Sequence, residues 1–225
     1  MPTHLNMDAR VSALIDRLYQ KSDAQGAEIG AFFSRRAKAG ELDWKGLDEQ
    51  SHRFMADKFV AFDRDKSEFC HQLCRALNAK RVVEAGTSYG VSTLYLASAV
   101  RANGGGVVIG TEYEPEKAKA ARAHFKEAGL ADVIDLREGD LRQTLKVIEG
   151  PVDFMLMDIW TEMARPAIEL IGPHMRVGAV VIADNVSQFT EPYEDYFAYI
   201  NDPANKFSTM TLPFAGGLEM SVRVA

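Results

Sequence analysis

Arg81-Val82-Val83-Glu84-Ala85-Gly86-Thr87-Ser88-Tyr89-Gly90, followed by the apolar run Val91 to Val100, decides the fold. A short β-branched run, a glycine-bearing loop and then a helix form the opening unit of an alternating strand–helix domain. The same alternation continues downstream. Val107 to Thr111 reads as a second strand, Glu116 to Glu127 as a helix, Val133 to Leu136 as a third strand and Leu141 to Ile148 as a short helix. Val152 to Met157 and Val177 to Ala183 supply a fourth and a fifth strand, and Phe207 to Leu212 with Leu218 to Val224 reads as a closing antiparallel hairpin. Strands joined through helices require right-handed crossovers and a parallel sheet covered on both faces. The expected architecture is α/β, doubly wound and mostly parallel. Such sheets place ligands at the carboxyl ends of their strands, where the strand order reverses.

The 225 residues, 47% hydrophobic and 26% charged, are enough for one large core and exclude a disordered or fibrous class. No apolar run approaches the ~20 residues of a membrane-spanning helix. Met1 to Arg10 lacks the basic, apolar and small-residue succession of a secretory signal, so a cytoplasmic location is expected. A net charge of −6 disfavours an extended phosphate-binding surface, so no nucleic-acid partner is expected. Cys70 and Cys74, with His71 between them, read as small core residues rather than a metal set.

Residues 1–64 read as a helical extension, a lid or subunit contact, ahead of a domain spanning 65–225. Val11, Leu14, Ile15 and Leu18 form one apolar stripe, and a second helical stretch from Ala27 to Ala39 stops near Gly40. Asp43 to Gly46 reads as loop, and Phe69, Leu73 and Leu77 mark the apolar face of a helix entering the first strand.

Acidic residues recur at successive strand ends. Glu84 stands at the mouth of the first loop, whose glycines at 86 and 90 do not make a dinucleotide fingerprint. A carboxylate there opposes a pyrophosphate and favours a ligand with ammonium or sulfonium charge. S-adenosylmethionine carries both. Glu112 is placed to accept the ribose hydroxyl protons, Tyr113 to lie against adenine, and Asp140 with Leu141 to meet the adenine edge. Asp158, Asp184 and Asn185 offer hard oxygen ligands suited to Mg²⁺, with Ca²⁺ or Mn²⁺ as alternatives. The competing reading of Asp184-Asn185 is an Asx turn after a strand.

From about Asp65 to Val224 the pattern resembles the cation-dependent class I S-adenosylmethionine O-methyltransferases, the catechol and caffeoyl-CoA group. Leu77 to Lys80 entering Glu84-Ala85-Gly86, then Met157-Asp158-Ile159-Trp160 and Ala183-Asp184-Asn185-Val186, carry the resemblance. It implies a seven-stranded Rossmann-like sheet and cofactor contacts from Glu84, Gly86, Thr87, Ser88, Ser92, Glu112, Tyr113, the Asp140-Leu141 turn, Asp158 and Trp160. It also implies a metal held by Asp158, Asp184 and Asn185, a small hydroxylated acceptor of catechol or phenol type, and a homodimer. Gly217-Leu218-Glu219 resembles the late strand by which catechol enzymes set a glutamate against substrate hydroxyls. Where those enzymes carry a lysine three positions after the first metal aspartate, this chain has Thr161. The base is then the metal-acidified hydroxyl itself, Lys66 or Glu219. Two other readings use the same core: a tRNA-modifying O-methyltransferase, and a cofactor-binding protein without turnover.

Overall fold

The computed structural model describes residues 5–42 and 48–225. Seven strands form one sheet in the order β3-β2-β1-β4-β5-β7-β6. They are β1 (Arg81–Ala85), β2 (Val107–Glu112), β3 (Ile134–Glu138), β4 (Val152–Met157), β5 (Met175–Asp184), β6 (Phe207–Leu212) and β7 (Leu218–Arg223). The first five run parallel, and β7 enters antiparallel between β5 and β6, as the closing hairpin requires. Strand order reverses between β1 and β4, so the carboxyl ends of these two strands frame the crevice where such sheets bind ligands.

Side chains alternate across the sheet and seed two cores. Val82, Val108, Leu156 and Ile182 face one layer, built by α1 (Ala9–Lys38), α3 (Arg64–Ala76), α4 (Val91–Ala102) and α5 (Pro115–Ala128). Val83, Ile109, Met155 and Val181 face the other, with α6 (Leu141–Thr144), α7 (Thr161–Ile171) and α8 (Glu194–Ile200). The remaining helix, α2 (Glu49–Met55), lies in the N-terminal extension.

Three elements depart from the sequence reading. The two expected N-terminal helices are one continuous α1. Gly26 and Gly30 sit within it with nothing near their missing Cβ atoms, and a helix tolerates an exposed glycine at about 1 kcal/mol. On α3 the buried face is Lys66, Ser67, Cys70, His71 and Cys74, while Phe69, Leu73 and Leu77 are only partly covered. Finally, α7 forms with Pro166 inside it, a residue that hides the helical pattern.

Candidate active site

Gly86 leaves β1 with φ +97°, and a Cβ there would collide with the main-chain carbonyl of Asp158. The loop is fixed by backbone bonds on both sides. Thr87 N donates to Thr111 O at 2.8 Å, and Ser88 N donates to Glu112 Oε2 at 2.7 Å. Glu84 lies under the loop rather than at its mouth, which corrects the sequence reading. It shares the parity of Val82, so its side chain turns toward α4. There its Oε2 accepts from Thr87 Oγ1 at 2.9 Å and from Thr93 Oγ1 at 2.5 Å. Burial raises its pKa, and the hydroxyls of Thr93, Ser92 and Thr87 oppose the rise. The Thr87 and Ser92 side chains are therefore buried supports of this carboxyl, not groups exposed to the crevice. Glu84 Oε1 and Ser88 Oγ are buried with no hydrogen-bond partner. Unsatisfied buried polar atoms are rare enough to point to a ligand or water.

Glu112 ends β2 at the rim. Its two oxygens accept from Ser88 N and, at 2.8 Å, from Glu114 N, which leaves lone pairs for a diol. Burial raises its pKa against these backbone donors. Tyr113 next to it is 70% exposed, a free ring face at the rim. Asp140 caps α6 and is paired with Arg142, whose hydrogen bonds hold the carboxyl below its usual range. Leu141 turns into the second core.

Asp158 follows β4 and Asp184 ends β5. Burial, then the charges of Asp184 and Glu84, push the Asp158 carboxyl well above its ordinary pKa. Asp184 is already engaged: Oδ1 accepts from Lys66 Nζ at 2.7 Å and Oδ2 from Asn185 Nδ2 at 2.9 Å. Lys66 Nζ also pairs with Asp63 Oδ2 at 2.8 Å. Burial works against the lysine charge, but the bonds to Asp184 and Asp63 prevail and its pKa is raised. An ammonium held this way is a poor proton acceptor, which removes Lys66 as the base. The residues do not fit a preformed divalent site, because one expected ligand, Asp184, already faces the buried Lys66 ammonium, whose charge a dication there would oppose.

Glu219 is corrected as well. It pairs across from Ala183 on the α7–α8 face, while Ile182 and Asp184 share the α3 face that carries Lys66. Thr209 and Thr211 donate to its two oxygens, and it is buried. Its carboxylate belongs to a hydroxyl network inside the hairpin.

Apart from Trp160, the cover of the crevice comes from residues with no signal in the sequence. Phe59 stacks on Tyr89 at 4.2 Å, Lys117 Nζ donates to Met55 O at 2.9 Å, and His52 meets Trp160 edge-on at 6.0 Å. Phe32, Phe33 and Phe54 pack on one another as ordinary core aromatics, and Trp44 lies outside the described residues. A cleft of about 510 Å³, lined by Ser187, Gln188, Thr211, Phe214, Gly216 and Gly217, opens beside Asn185.

This sheet order, with its glycine loop and acidic rim, defines the Rossmann-like methyltransferase class of fold. The solved O-methyltransferase of Bacillus cereus, in complex with SAH, superposes with a TM-score of 0.66 at 21% identity, covering 95% of this chain and 99% of that one. TomG of Streptomyces achromogenes, in complex with SAM, gives 0.65 at 21% identity, covering 80% and 92%. Residues 83–186 match the methyltransferase domain family. A catechol O-methyltransferase of Mycobacterium tuberculosis is 34% identical over 128 residues, 56% of this chain and 57% of that protein. One of Niastella koreensis is 30% identical over 135 residues, covering 56% and 58%. Over this stretch the chain is similar to S-adenosylmethionine-dependent O-methyltransferases. It spans just over half the length of the curated relatives it matches.

Proposed function

We propose that this protein transfers a methyl group from S-adenosylmethionine to a hydroxyl of a small phenolic or catechol-like acceptor, in the cytoplasm and as a homodimer. The observation that carries the reading is the gathering of Glu84, Glu112 and Asp158 around the loop at the strand reversal, with two buried polar atoms left unpaired there. The bound donor supplies an electrophilic methyl on a positively charged sulfur. Carboxylates along one rim favour that cation, and Glu112 accepts from its ribose hydroxyls. The Phe59–Tyr89 stack and the His52–Trp160 contact close the crevice from above and keep water from the reacting pair. The cleft beside Asn185 is the place for the acceptor, whose oxygen takes the methyl as its proton is released. The divalent ion is implied by the resemblance alone, and Asp184, one of its implied ligands, is engaged by Lys66.

Calorimetric titration with S-adenosylmethionine tests the reading. Glu112→Ala is expected to weaken binding by roughly tenfold or more, as loss of hydrogen bonds to a charged group implies. Undiminished affinity would remove the ribose assignment, and absence of binding by the unaltered protein would remove the reading as a whole.

A further inference from the structure

We propose that the Lys66 ammonium is the resident cation of the carboxylate cluster at the ends of β4 and β5, and that the acceptor is therefore held through a single hydroxyl. Its second half rests on the methyltransferase reading, whereas its first half does not.

Lys66 is 1% exposed, an extreme for a lysine, and reaches the cluster from the first turn of α3. Its Nζ lies 2.7 Å from Asp184 Oδ1 and 2.8 Å from Asp63 Oδ2, so two carboxylates of different segments converge on one ammonium. The Phe62 ring lies 5.9 Å away and helps close the site. Asn185 donates to the other Asp184 oxygen. A Mg²⁺ ion needs such oxygens as ligands, at about 2.1 Å, and dehydrates reluctantly. Placing it on Asp184 would set a dication within a few ångströms of a desolvated ammonium, a repulsion the low-dielectric surroundings magnify. Expelling the lysine instead would break both of its ion pairs inside the protein.

The consequence reaches the acceptor. A chelated metal selects two neighbouring oxygens, as in a catechol, because it grips one while orienting the other. An internal ammonium imposes no such pairing, so a monohydroxy phenol is as eligible as a vicinal diol. Thr161, standing where the resemblance implies a lysine, fits a site whose cation arrives from α3.

Electron paramagnetic resonance of Mn²⁺, titrated into the full chain, reads the first half without turnover. The unaltered protein is expected to leave the free-ion signal undiminished, and Lys66→Met to take up one equivalent. Stoichiometric uptake by the unaltered protein, lost in Asp184→Asn, would overturn the proposal. So would a folded Lys66→Met, verified by its melting transition, that takes up none. If that variant does not fold, the titration of the unaltered protein decides. For the second half, methylation of phenol and of catechol is compared with and without EDTA. Comparable, chelator-insensitive rates are expected, and turnover of catechol alone or loss of activity in EDTA would overturn it. No turnover of any phenol would count against the acceptor class of the proposed function, and the Mn²⁺ result would still stand.

Discussion

Gly86 shows how a single residue lets the strand ends of β1 and β4 pack closely. Its φ of +97° suits glycine, and the missing Cβ makes room for the carbonyl oxygen of Asp158. The obstruction is backbone, which cannot rotate aside as a side chain would. Gly86→Ala is therefore expected to cost on the order of 3 kcal/mol and to lower donor affinity, read by chemical denaturation and calorimetry. The positions of the rim carboxylates were legible in the sequence because each follows a short apolar strand. Their directions were not. Strand parity turns Glu84 toward α4 and sets Asp184 against Lys66, a contact between residues 118 positions apart that no local pattern announces. Glu219 matched a motif by its neighbours, yet its strand partner Ala183 fixes it on the far face of the sheet.

On α3 the apolar periodicity and the buried face disagree. Phe69, Leu73 and Leu77 gave the clearer stripe, but packing against α4 covers the side carrying Cys70, His71 and Cys74. Tertiary contact overrides the pattern because small sulfur-bearing side chains permit a close approach of two helices. His71 is consequently buried with neither ring nitrogen hydrogen-bonded. Burial, aided by the Arg75 charge, lowers its pKa from 6.5 to about 4. A depressed pKa means that the unfolded chain binds the proton first as pH falls. His71 thus contributes its full stability above pH 6.5 and loses it progressively toward pH 4. The loss between pH 7 and pH 5 is about 2 kcal/mol from this group alone. His71→Leu should flatten that part of the stability profile, measured by urea denaturation at the two pH values. A variant with the same slope as the unaltered protein would show that another group governs the acid limb.

Across the whole molecule, the alternating architecture and the antiparallel hairpin were readable from apolar runs and turn residues, while the status of the N-terminal extension was not. The stripe Val11, Leu14, Ile15 and Leu18 is fully buried, and it joins the same core as α4, α5 and the sheet. Tyr19 donates to Phe62 O at 2.9 Å, and Arg10 donates to Ala128 O at 3.2 Å, so the first half of α1 is bonded to both ends of that layer. The second half buries only Phe32 and Arg36, against α2 and its flanks. One helix therefore performs two tasks, completing the core with its first half and carrying the crevice cover with its second. Each of Leu14 and Leu18 cut to alanine is expected to cost ~2–5 kcal/mol. A chain beginning at Asp63 would lose both tasks together. It would expose the apolar faces of α4 and α5, so a broadened melting transition and binding of an apolar dye are expected, with donor affinity lost through the fold rather than through the rim. A fragment that melts cooperatively and keeps its donor affinity would make the extension a separable lid. Comparing it with Leu14→Ala separates the two cases, because a lid would leave that substitution nearly silent in the stability of residues 65–225.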